Sequence, residues 1–344
     1  MKKWFRKSSV ILSLAALAVI GCSQSTEQAG SSNSASGGTD GTVKLSVAHI
    51  FPENHPGGIH LKKFAEEVSA KTNGAVEITV HHAGVLGSEA DEIQQIQAGN
   101  LDMALLYGIS NFQNIDPQLG VEELPFVFKD KEHAHRALDG AFGKAVSEKL
   151  ASKGFQALSY WENGFRHFTN NKIPITTPED MNGVKFRSAE IPIRLEMFKQ
   201  LNASAIPMAF TELFTALQQG TVDGQENPLS IIETNKFYEV QKYLSLSGHI
   251  YNSAVLVTSP QSMEKLSPEQ QKIVAEVAEK IKAEEREMVK KQDEELVAVL
   301  KEKGMEVNEI DREAFVKAVQ PVWNGFTSKN GDELLKLIQE AEKQ

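Results

Sequence analysis

The pattern of apolar and polar positions from residue 43 onward predicts strands and helices in alternation. Residues 43–50 and 76–80 alternate apolar with polar side chains, as half-buried strands do. Between them, the apolar positions of residues 61–68 recur at helical spacing, and Asn73-Gly74 provides a turn. A strand, a helix and a second strand in such a short span are typical of an α/β domain.

Two later stretches share the sequence Q-x-G-x-[Leu/Val]-Asp, at residues 97–102 and 218–223. Each follows a helical pattern and leads into a strand-like run, 101–106 in the first case and 221–223 in the second. A glycine after a helix is a common stop signal, so part of the similarity is generic. We interpret the pair as two lobes built alike, each presenting a strand end to a shared cleft.

The rest of the chain fills in this plan. The pattern predicts an amphipathic helix from Lys131 to about Lys153, a short strand over 155–159, an interlobe crossover over 160–167, and a strand over 247–258 as the return crossover. Ser267-Pro268 then begins a helix that meets no Gly or Pro before Gly304, roughly 54 Å at 1.5 Å per residue. Its apolar residues cluster at the two ends around a charged middle, which favours a strut between two cores. The alternatives are a helix broken by an unsignalled turn and a coiled coil, and its heptads are too irregular for the second.

The N-terminal residues are typical of a targeting segment. Lys2, Lys3, Arg6 and Lys7 precede an apolar run of about eleven residues, which is too short to span a bilayer as a helix. The run ends at Gly21-Cys22, which resembles a bacterial lipobox. We predict a lipoprotein signal peptide over 1–21, lipidation of Cys22, and a flexible Ser/Gly-rich tether over 22–41. The alternative is an ordinary signal peptide with an incidental cysteine.

Charge and cysteine content exclude several kinds of protein. The chain carries a net charge of −10, and residues 1–21 hold four cations, so the remainder is near −14. An acidic body without a basic cluster argues against nucleic-acid binding. Cys22 is the only cysteine, which excludes an intramolecular disulfide and a cysteine-based metal cluster.

Motifs for catalysis or cofactor binding are incomplete. Residues 140–144 (GAFGK) have the wrong spacing for a phosphate-binding loop, and no G-x-S-x-G or G-x-G-x-x-G motif is present. The histidine pairs 81/82 and 133/135 do not share a face in a strand or helix. We therefore predict no enzyme, no cofactor and no metal.

Residues 184–228 offer the best candidate for anion binding. Arg187 ends an apolar, strand-like run, and strand ends hold ligands in α/β sheets. Arginine suits two-pronged capture of a carboxylate, although most arginines are simply surface residues. Asn227 precedes Pro228, which ends the strand and leaves the amide free to point into a cleft. Arg166 is a second candidate, and Phe210 is either an apolar wall or core.

Four motifs between residues 163 and 244 resemble the DctP family of substrate-binding proteins of tripartite ATP-independent periplasmic (TRAP) transporters. They are NGFRHFTN at 163–170, DMNGVKFR at 180–187, PMAFTELFTALQQGTVDGQENP at 207–228 and FYEVQKYL at 237–244. The resemblance implies an α/β, two-lobed periplasmic-binding-protein-like (Venus flytrap) fold with a long helix spanning both lobes. We predict lobe I over 42–163 plus 253–292 and lobe II over 164–252 plus 293–344.

The resemblance also implies a set of binding residues. Arg187 would pair with the carboxylate of an organic acid, with Arg166 close by and Asn227 also on the acid. Other members would be Glu226 and His249 in a buried polar network with Arg166, and four residues that touch the rest of the ligand: His49, Glu89, Tyr107 and Phe210.

The ligand class stays open between a sugar acid such as a uronate and a C4-dicarboxylate. Sialic-acid-binding members have Asn where this chain has Glu190, and an acid where it has Tyr107, which argues against sialic acid. Glu190 would accept hydrogen bonds from sugar hydroxyls, which slightly favours a sugar acid.

The implied protein is an extracytoplasmic solute receptor, lipid-anchored at the membrane or periplasmic, that delivers its ligand to a TRAP permease. The alternatives are a ligand-sensing module for a signalling receptor and a secreted hydrolase.

Overall fold

The computed structural model describes residues 41–343. The predicted signal peptide, the lipidation site Cys22 and all of the predicted tether except Gly41 lie outside the described residues.

Strands and helices alternate through most of the described chain, as the pattern predicts. The strands are β1 (Val43–Ala48), β2 (Val76–His81), β3 (Met103–Leu106), β4 (Gln156–Phe165), β5 (His167–Asn170), β6 (Lys185–Ser188), β7 (Ser204–Pro207), β8 (Gly224–Asn227), β9 (Tyr243–Leu246), β10 (Tyr251–Thr258) and β11 (Glu306–Glu309). The helices are α1 (Pro56–Lys71), α2 (Glu89–Gln97), α3 (Lys131–Asp139), α4 (Ala141–Ala151), α5 (Pro192–Gln200), α6 (Leu213–Gln218), α7 (Leu229–Thr234), α8 (Pro260–Met263), α9 (Pro268–Glu302), α10 (Arg312–Asn330) and α11 (Glu333–Ala341).

Two mixed sheets form the two lobes. The first lobe contains the sheet β2-β1-β3-β10-β4, and the second contains β11-β9-β5-β8-β6-β7. In the first, β1 pairs in parallel with β2 and β3; in the second, β6 pairs in parallel with β7 and β8. Each β-α-β-α-β unit is followed in its sheet by one antiparallel strand, β10 against β3 and β5 against β8. The two lobes are therefore built alike.

The aspartate of the repeated motif accepts an equivalent backbone hydrogen bond in each lobe. Asp102 Oδ2 accepts a hydrogen bond of 2.8 Å from the backbone N–H of Ser46 in β1, and Asp223 Oδ2 accepts one of 2.9 Å from the N–H of Lys185 in β6. A lysine also pairs with each carboxylate, Lys265 at 2.6 Å and Lys172 at 2.8 Å. Each aspartate thus ties the start of its own strand to the neighbouring parallel strand.

The strand predicted over 221–223 was wrong by a few residues, since the strand is β8 and begins at Gly224. The run GQEN looks like a turn because of its glycine and polar residues. The glycine is needed for another reason: a Cβ there would lie 2.4 Å from the carbonyl oxygen of Thr169 in β5. Gly224 therefore allows the close approach of two strand backbones.

One other predicted element also differs. The helix predicted from Lys131 to about Lys153 is two helices, broken at Gly140, because α4 packs back so closely that a Cβ on Gly143 would meet the Leu138 carbonyl. The interlobe crossover predicted over 160–167 is confirmed, because the chain passes there from β4 in the first sheet to β5 in the second, with strand geometry kept to Phe165. A bulge opposite residues 252–253 and a φ of +106° at Gly164 let this long strand turn at once into β5.

The long helix is confirmed as α9, with 35 residues and a capping box at Ser267. Its first half packs on α1 and β4 of the first lobe, and it also contacts α7 and β11 of the second. Its middle is less exposed than its charges suggest, because Glu285 is fully buried and accepts the N–H of Glu162 at 2.9 Å.

The last two helices pack on different parts of the body. α10 contacts α5, whereas α11 contacts α3 and α4. No helix among residues 41–343 combines the length and apolar character needed to cross a membrane.

Candidate functional site

A cavity of about 270 Å³ lies between the two lobes. The first lobe contributes residues around α2 and after β3, and the second contributes the ends of β6 and β7. The lining residues are Ile50, Ser88, Glu89, Ala90, Ser110, Asn111, Gln113, Asn114, Arg187, Ala189, Glu190, Ile191, Met208, Ala209, Phe210 and Thr211.

Arg187, in β6, is the one cationic side chain among these lining residues. It is only 4% exposed. Its Nε donates to the Met208 carbonyl at 2.9 Å, and its Cζ lies 5.9 Å from the centre of the Phe210 ring. The two terminal amino groups have no hydrogen-bond acceptor among residues 41–343. The guanidinium is thus held by one edge, with its amino groups available to a ligand.

Burial lowers the pKa of Arg187 to about 9, although the nearby Glu226 carboxylate opposes this effect. Arg194 and Arg166 lower the pKa further because they repel the charge. The side chain still carries its charge at neutral pH, but without a bound partner. An anion in the cavity would relieve this cost, since opposite charge favours the ionised form.

Arg166 lies behind the cavity and is paired within the protein. Its guanidinium contacts both carboxylate oxygens of Glu226, the Nη2 contact being 3.0 Å, and donates to Asn227 Oδ1 at 2.8 Å. Although burial would raise the pKa of the Glu226 carboxyl, Arg166 and Arg194 hold it well below its usual value. The ion pair is therefore charged and structural in character.

Arg194, on α5, is a central residue that sequence reasoning missed. It donates to both oxygens of Glu123, at 2.9 and 2.6 Å, and to Glu226 Oε1 at 3.0 Å. Asn252 joins the same cluster by donating to Glu123 Oε1 at 2.9 Å. A buried network thus runs from the second lobe, through Arg194, to the segment after β3.

A signal for Arg194 was present in the sequence. It shares a helix face with Met197 and Phe198, three and four positions later, and both are fully buried. An arginine on an apolar helix face must find a buried carboxylate, and residues 122–123 are two glutamates inside an apolar run.

Asn227 does not line the cavity. Its amide nitrogen donates to Gln225 Oε1, its oxygen accepts from Arg166, and the side chain is 2% exposed. The expectation of a free amide is therefore wrong for this conformation, because Gln225 in β8 and Arg166 between β4 and β5 occupy both ends of the amide.

His249 lies in the network beside Glu226, as the resemblance implies. Its Nε2 is 3.5 Å from Glu226 Oε2, its Nδ1 is 2.7 Å from Ser247 Oγ, and its ring stacks on Phe168 at 4.0 Å. Burial lowers the pKa of His249 although Glu226 opposes this.

From the first lobe, Glu89 reaches the cavity wall. Its Oε1 accepts the backbone N–H of Tyr107 at 2.6 Å and the amide of Asn111 at 3.1 Å. Burial raises the pKa of this carboxyl to about 7, with the Tyr107 hydrogen bond and Arg187 acting in the opposite direction. Asn111 is a second residue of the wall that sequence reasoning missed.

His49 and Tyr107 lie beneath this wall instead of lining the cavity. His49 Nδ1 is 3.0 Å from the Tyr107 hydroxyl, and its Nε2 is 2.8 Å from His82 Nδ1. Burial and His82 lower the pKa of His49 to about 3, so the ring is neutral. Tyr107 acts on the cavity through its backbone, which holds Glu89.

Glu190 and Phe210 complete the wall of the second lobe. Glu190 is exposed and follows β6, three residues after Arg187. Phe210 packs edge-on against Phe51 of the first lobe, with ring centres 4.8 Å apart. This aromatic pair bridges the lobes at the edge of the cavity.

Among residues 41–343, no group of three His, Cys, Asp or Glu side chains is arranged to hold a metal ion.

Comparison with known proteins gives a consistent picture. The sequence model of the family described as bacterial extracellular solute-binding protein, family 7 (DctP) matches residues 47–330. The 2,3-diketo-L-gulonate-binding periplasmic protein of Escherichia coli is 34% identical over 288 residues, which are 83% of this chain and 88% of that protein.

Two solved structures are similar in fold and sequence. The sugar acid binding protein of Advenella mimigardefordensis in complex with galactonate has a TM-score of 0.85 and 35% identity, covering 88% of this chain and 99% of its own. A TRAP periplasmic solute-binding protein of Sulfurospirillum deleyianum with bound succinate has a TM-score of 0.83 and 33% identity, covering 87% and 99%.

Proposed function

Since this chain belongs to the DctP family of extracytoplasmic solute-binding proteins of TRAP transporters, which are not enzymes, we propose that its cavity holds an organic acid through Arg187. The observation that carries the proposal is the pair of unoccupied amino groups on a buried guanidinium that faces the cavity. A carboxylate matches that two-pronged geometry.

The other binding residues take supporting places in this proposal. Arg166, Glu226 and His249 form the buried network behind Arg187. Asn227 positions Arg166 in this conformation. Its side-chain amide would contact the acid only after releasing its hydrogen bond to Arg166 or Gln225.

The wall opposite Arg187 would contact the remainder of the ligand. Glu89, Glu190 and Phe210 line the cavity directly. His49 and Tyr107 support Glu89 from beneath, through the Tyr107 N–H. The sugar acid and the C4-dicarboxylate are both compatible with a single Arg187 carboxylate pair.

Delivery and anchoring are further parts of the proposal. The receptor would hand its acid to the membrane permease of a TRAP transporter, and lipid on Cys22 would hold it at the membrane face. We keep the lobe bounds predicted from the sequence, except that α11 is assigned to the first lobe because it packs on α3 and α4. Metabolic labelling with palmitate, lost in Cys22→Ser, tests the anchor. Recovery of a signalling receptor instead of a permease in a pull-down would favour the sensing module.

A thermal-shift screen of organic acids tests the binding function, because a ligand raises the melting temperature by mass action. We expect at least one hydroxy acid or dicarboxylate to raise it in the wild type and to have no effect on Arg187→Ala. Stabilisation of Arg187→Ala equal to that of the wild type would contradict the proposal.

A further inference from the structure

The side chains that line the cavity include more carboxylates than cations. Arg187 is the cation, and Glu89 and Glu190 are carboxylates. When a ligand carboxylate occupies Arg187, neither glutamate retains a cationic partner at the cavity wall. The rest of the ligand then meets two hydrogen-bond acceptors, one from each lobe.

Glu89 cannot easily turn away from the ligand. The Tyr107 N–H and the Asn111 amide both bind its Oε1, at 2.6 and 3.1 Å. Its Oε2 has no hydrogen-bond partner within residues 41–343 and belongs to the cavity wall. One oxygen is therefore fixed by the protein, and the other is presented to the cavity.

Glu190 differs because it is exposed and forms no ion pair or side-chain hydrogen bond in the described part of the chain. It can adjust to ligands of different length. The remaining polar lining is neutral, made of serine, threonine, asparagine and glutamine side chains. Nothing in that set compensates a second negative charge.

From this arrangement, and resting on the proposed function, we infer that the cavity selects hydroxy-monocarboxylates and rejects dicarboxylates with the same carbon skeleton. A hydroxyl group donates to Glu89 Oε2 or Glu190, whereas a second carboxylate can only accept and carries the same charge. Repulsion between like charges a few ångströms apart is strong where water is largely excluded. The pKa of Glu89 is about 7 and rises when an anion is bound, so its fixed oxygen adds to this repulsion at pH 8 and less at pH 6.

Matched ligand pairs test the inference by calorimetry. Galactonate and galactarate, gluconate and glucarate, and erythronate and meso-tartrate each differ at the terminal carbon, which is a hydroxymethyl group in the first and a carboxylate in the second. In the pair that binds, we expect the monocarboxylate to bind at least about 100-fold more tightly, because polar sites reject ligands that leave their groups unpaired. Equal or tighter binding of the diacid overturns the inference.

Variants separate this selection from acid binding itself. Glu89→Gln and Glu190→Gln should each narrow the ratio within the pair, and together by at least about tenfold, because an amide can donate to the second carboxylate. Glu212 is exposed and does not line the cavity, so Glu212→Gln removes the same charge elsewhere and should leave the ratio of the two affinities unchanged. Arg187→Ala should abolish the binding of both ligands. If the wild type binds neither the monocarboxylates nor the diacids, both the proposed function and the selection are refuted.

Discussion

Arg194 and Glu123 form a two-pronged ion pair that joins α5 of the second lobe to the segment after β3 in the first. Nε lies 2.9 Å from Oε2 and Nη2 lies 2.6 Å from Oε1, and both side chains are almost fully buried. Burial would lower the pKa of Arg194, but Glu123 and Glu226 raise it. The Arg194 guanidinium therefore stays charged in the folded protein.

Removing Arg194 should leave the buried Glu123 carboxylate without a cation and take one of two arginines from Glu226. We expect Arg194→Ala to lower the free energy of unfolding by about 3–5 kcal/mol, the usual cost of breaking a buried ion pair. Urea denaturation measures it. Lys199→Ala on the same helix is the control, because its pair with Glu196 is exposed and should contribute no more than about 1 kcal/mol. Similar losses in the two variants would show that the network does not stabilise the fold.

Arg187 should behave in the opposite way when no ligand is present. Its buried charge lacks a carboxylate partner, so Arg187→Met should raise the melting temperature of the ligand-free protein by about 2–4 °C, corresponding to roughly 1 kcal/mol in a chain of this size. Differential scanning calorimetry measures the change. A lower melting temperature would mean that the bond to Met208 and the Phe210 contact outweigh the cost of burying the charge.

The geometry of the guanidinium predicts the effect of a charge-conserving change on binding. Arg187→Lys keeps the charge but loses the fork, so affinity for the bound acid should fall about 10- to 100-fold, equivalent to one charge-assisted hydrogen bond. Calorimetry measures it, with Arg312→Lys as a matched change outside the cavity. Unchanged affinity in Arg187→Lys would rule out two-pronged binding.

Glu89 should make ligand binding depend on pH. Its carboxyl pKa is about 7 in the ligand-free cavity, and a bound anion would raise it further, so binding takes up a proton. Affinity should therefore fall as pH rises from 6 to 8, by roughly three- to tenfold. Glu89→Gln should flatten the profile. A wild-type profile as flat as that of the variant would show that Glu89 does not titrate in this range.

The two repeated aspartates should make similar and independent contributions to stability. Asp102→Asn and Asp223→Asn each lose charge-assisted hydrogen bonds, and we expect about 1–3 kcal/mol for each. Because the sites lie in different sheets, the double variant should show the sum. Asp332→Asn, whose pair with Lys336 is exposed, is the control.

The pH dependence of these contributions follows from the direction of the pKa shifts. Burial would raise both carboxyl pKa values, but the lysine and backbone donors lower them overall. A lowered pKa adds stability above the unfolded value, near 4, and this stability is lost as pH falls through the folded value. Denaturation of the aspartate variants and the wild type should therefore converge as pH falls well below that unfolded value.

Local sequence patterns predicted the parts of the protein that local physics determines. The alternating strands, the stop glycines and the uninterrupted helix α9 depend on neighbours along the chain, and Arg187 stood out because it ends a strand. Asn227 was misjudged because its partners, Gln225 and Arg166, are set by strand pairing. Arg194 was missed because its acid partner lies 71 residues away in sequence. Long-range contacts decided these cases.

α9 is in effect an elastic rod clamped at both ends. Its 35 residues span about 52 Å, and its interior contains neither glycine nor proline at which a sharp kink would form. Smoothly curved helices have radii of about 60–100 Å, so a helix of this length can follow a rotation on the order of 30–50° between its ends. The stiffness of one helix therefore sets an upper limit on how far the two lobes can swing apart without breaking its backbone hydrogen bonds.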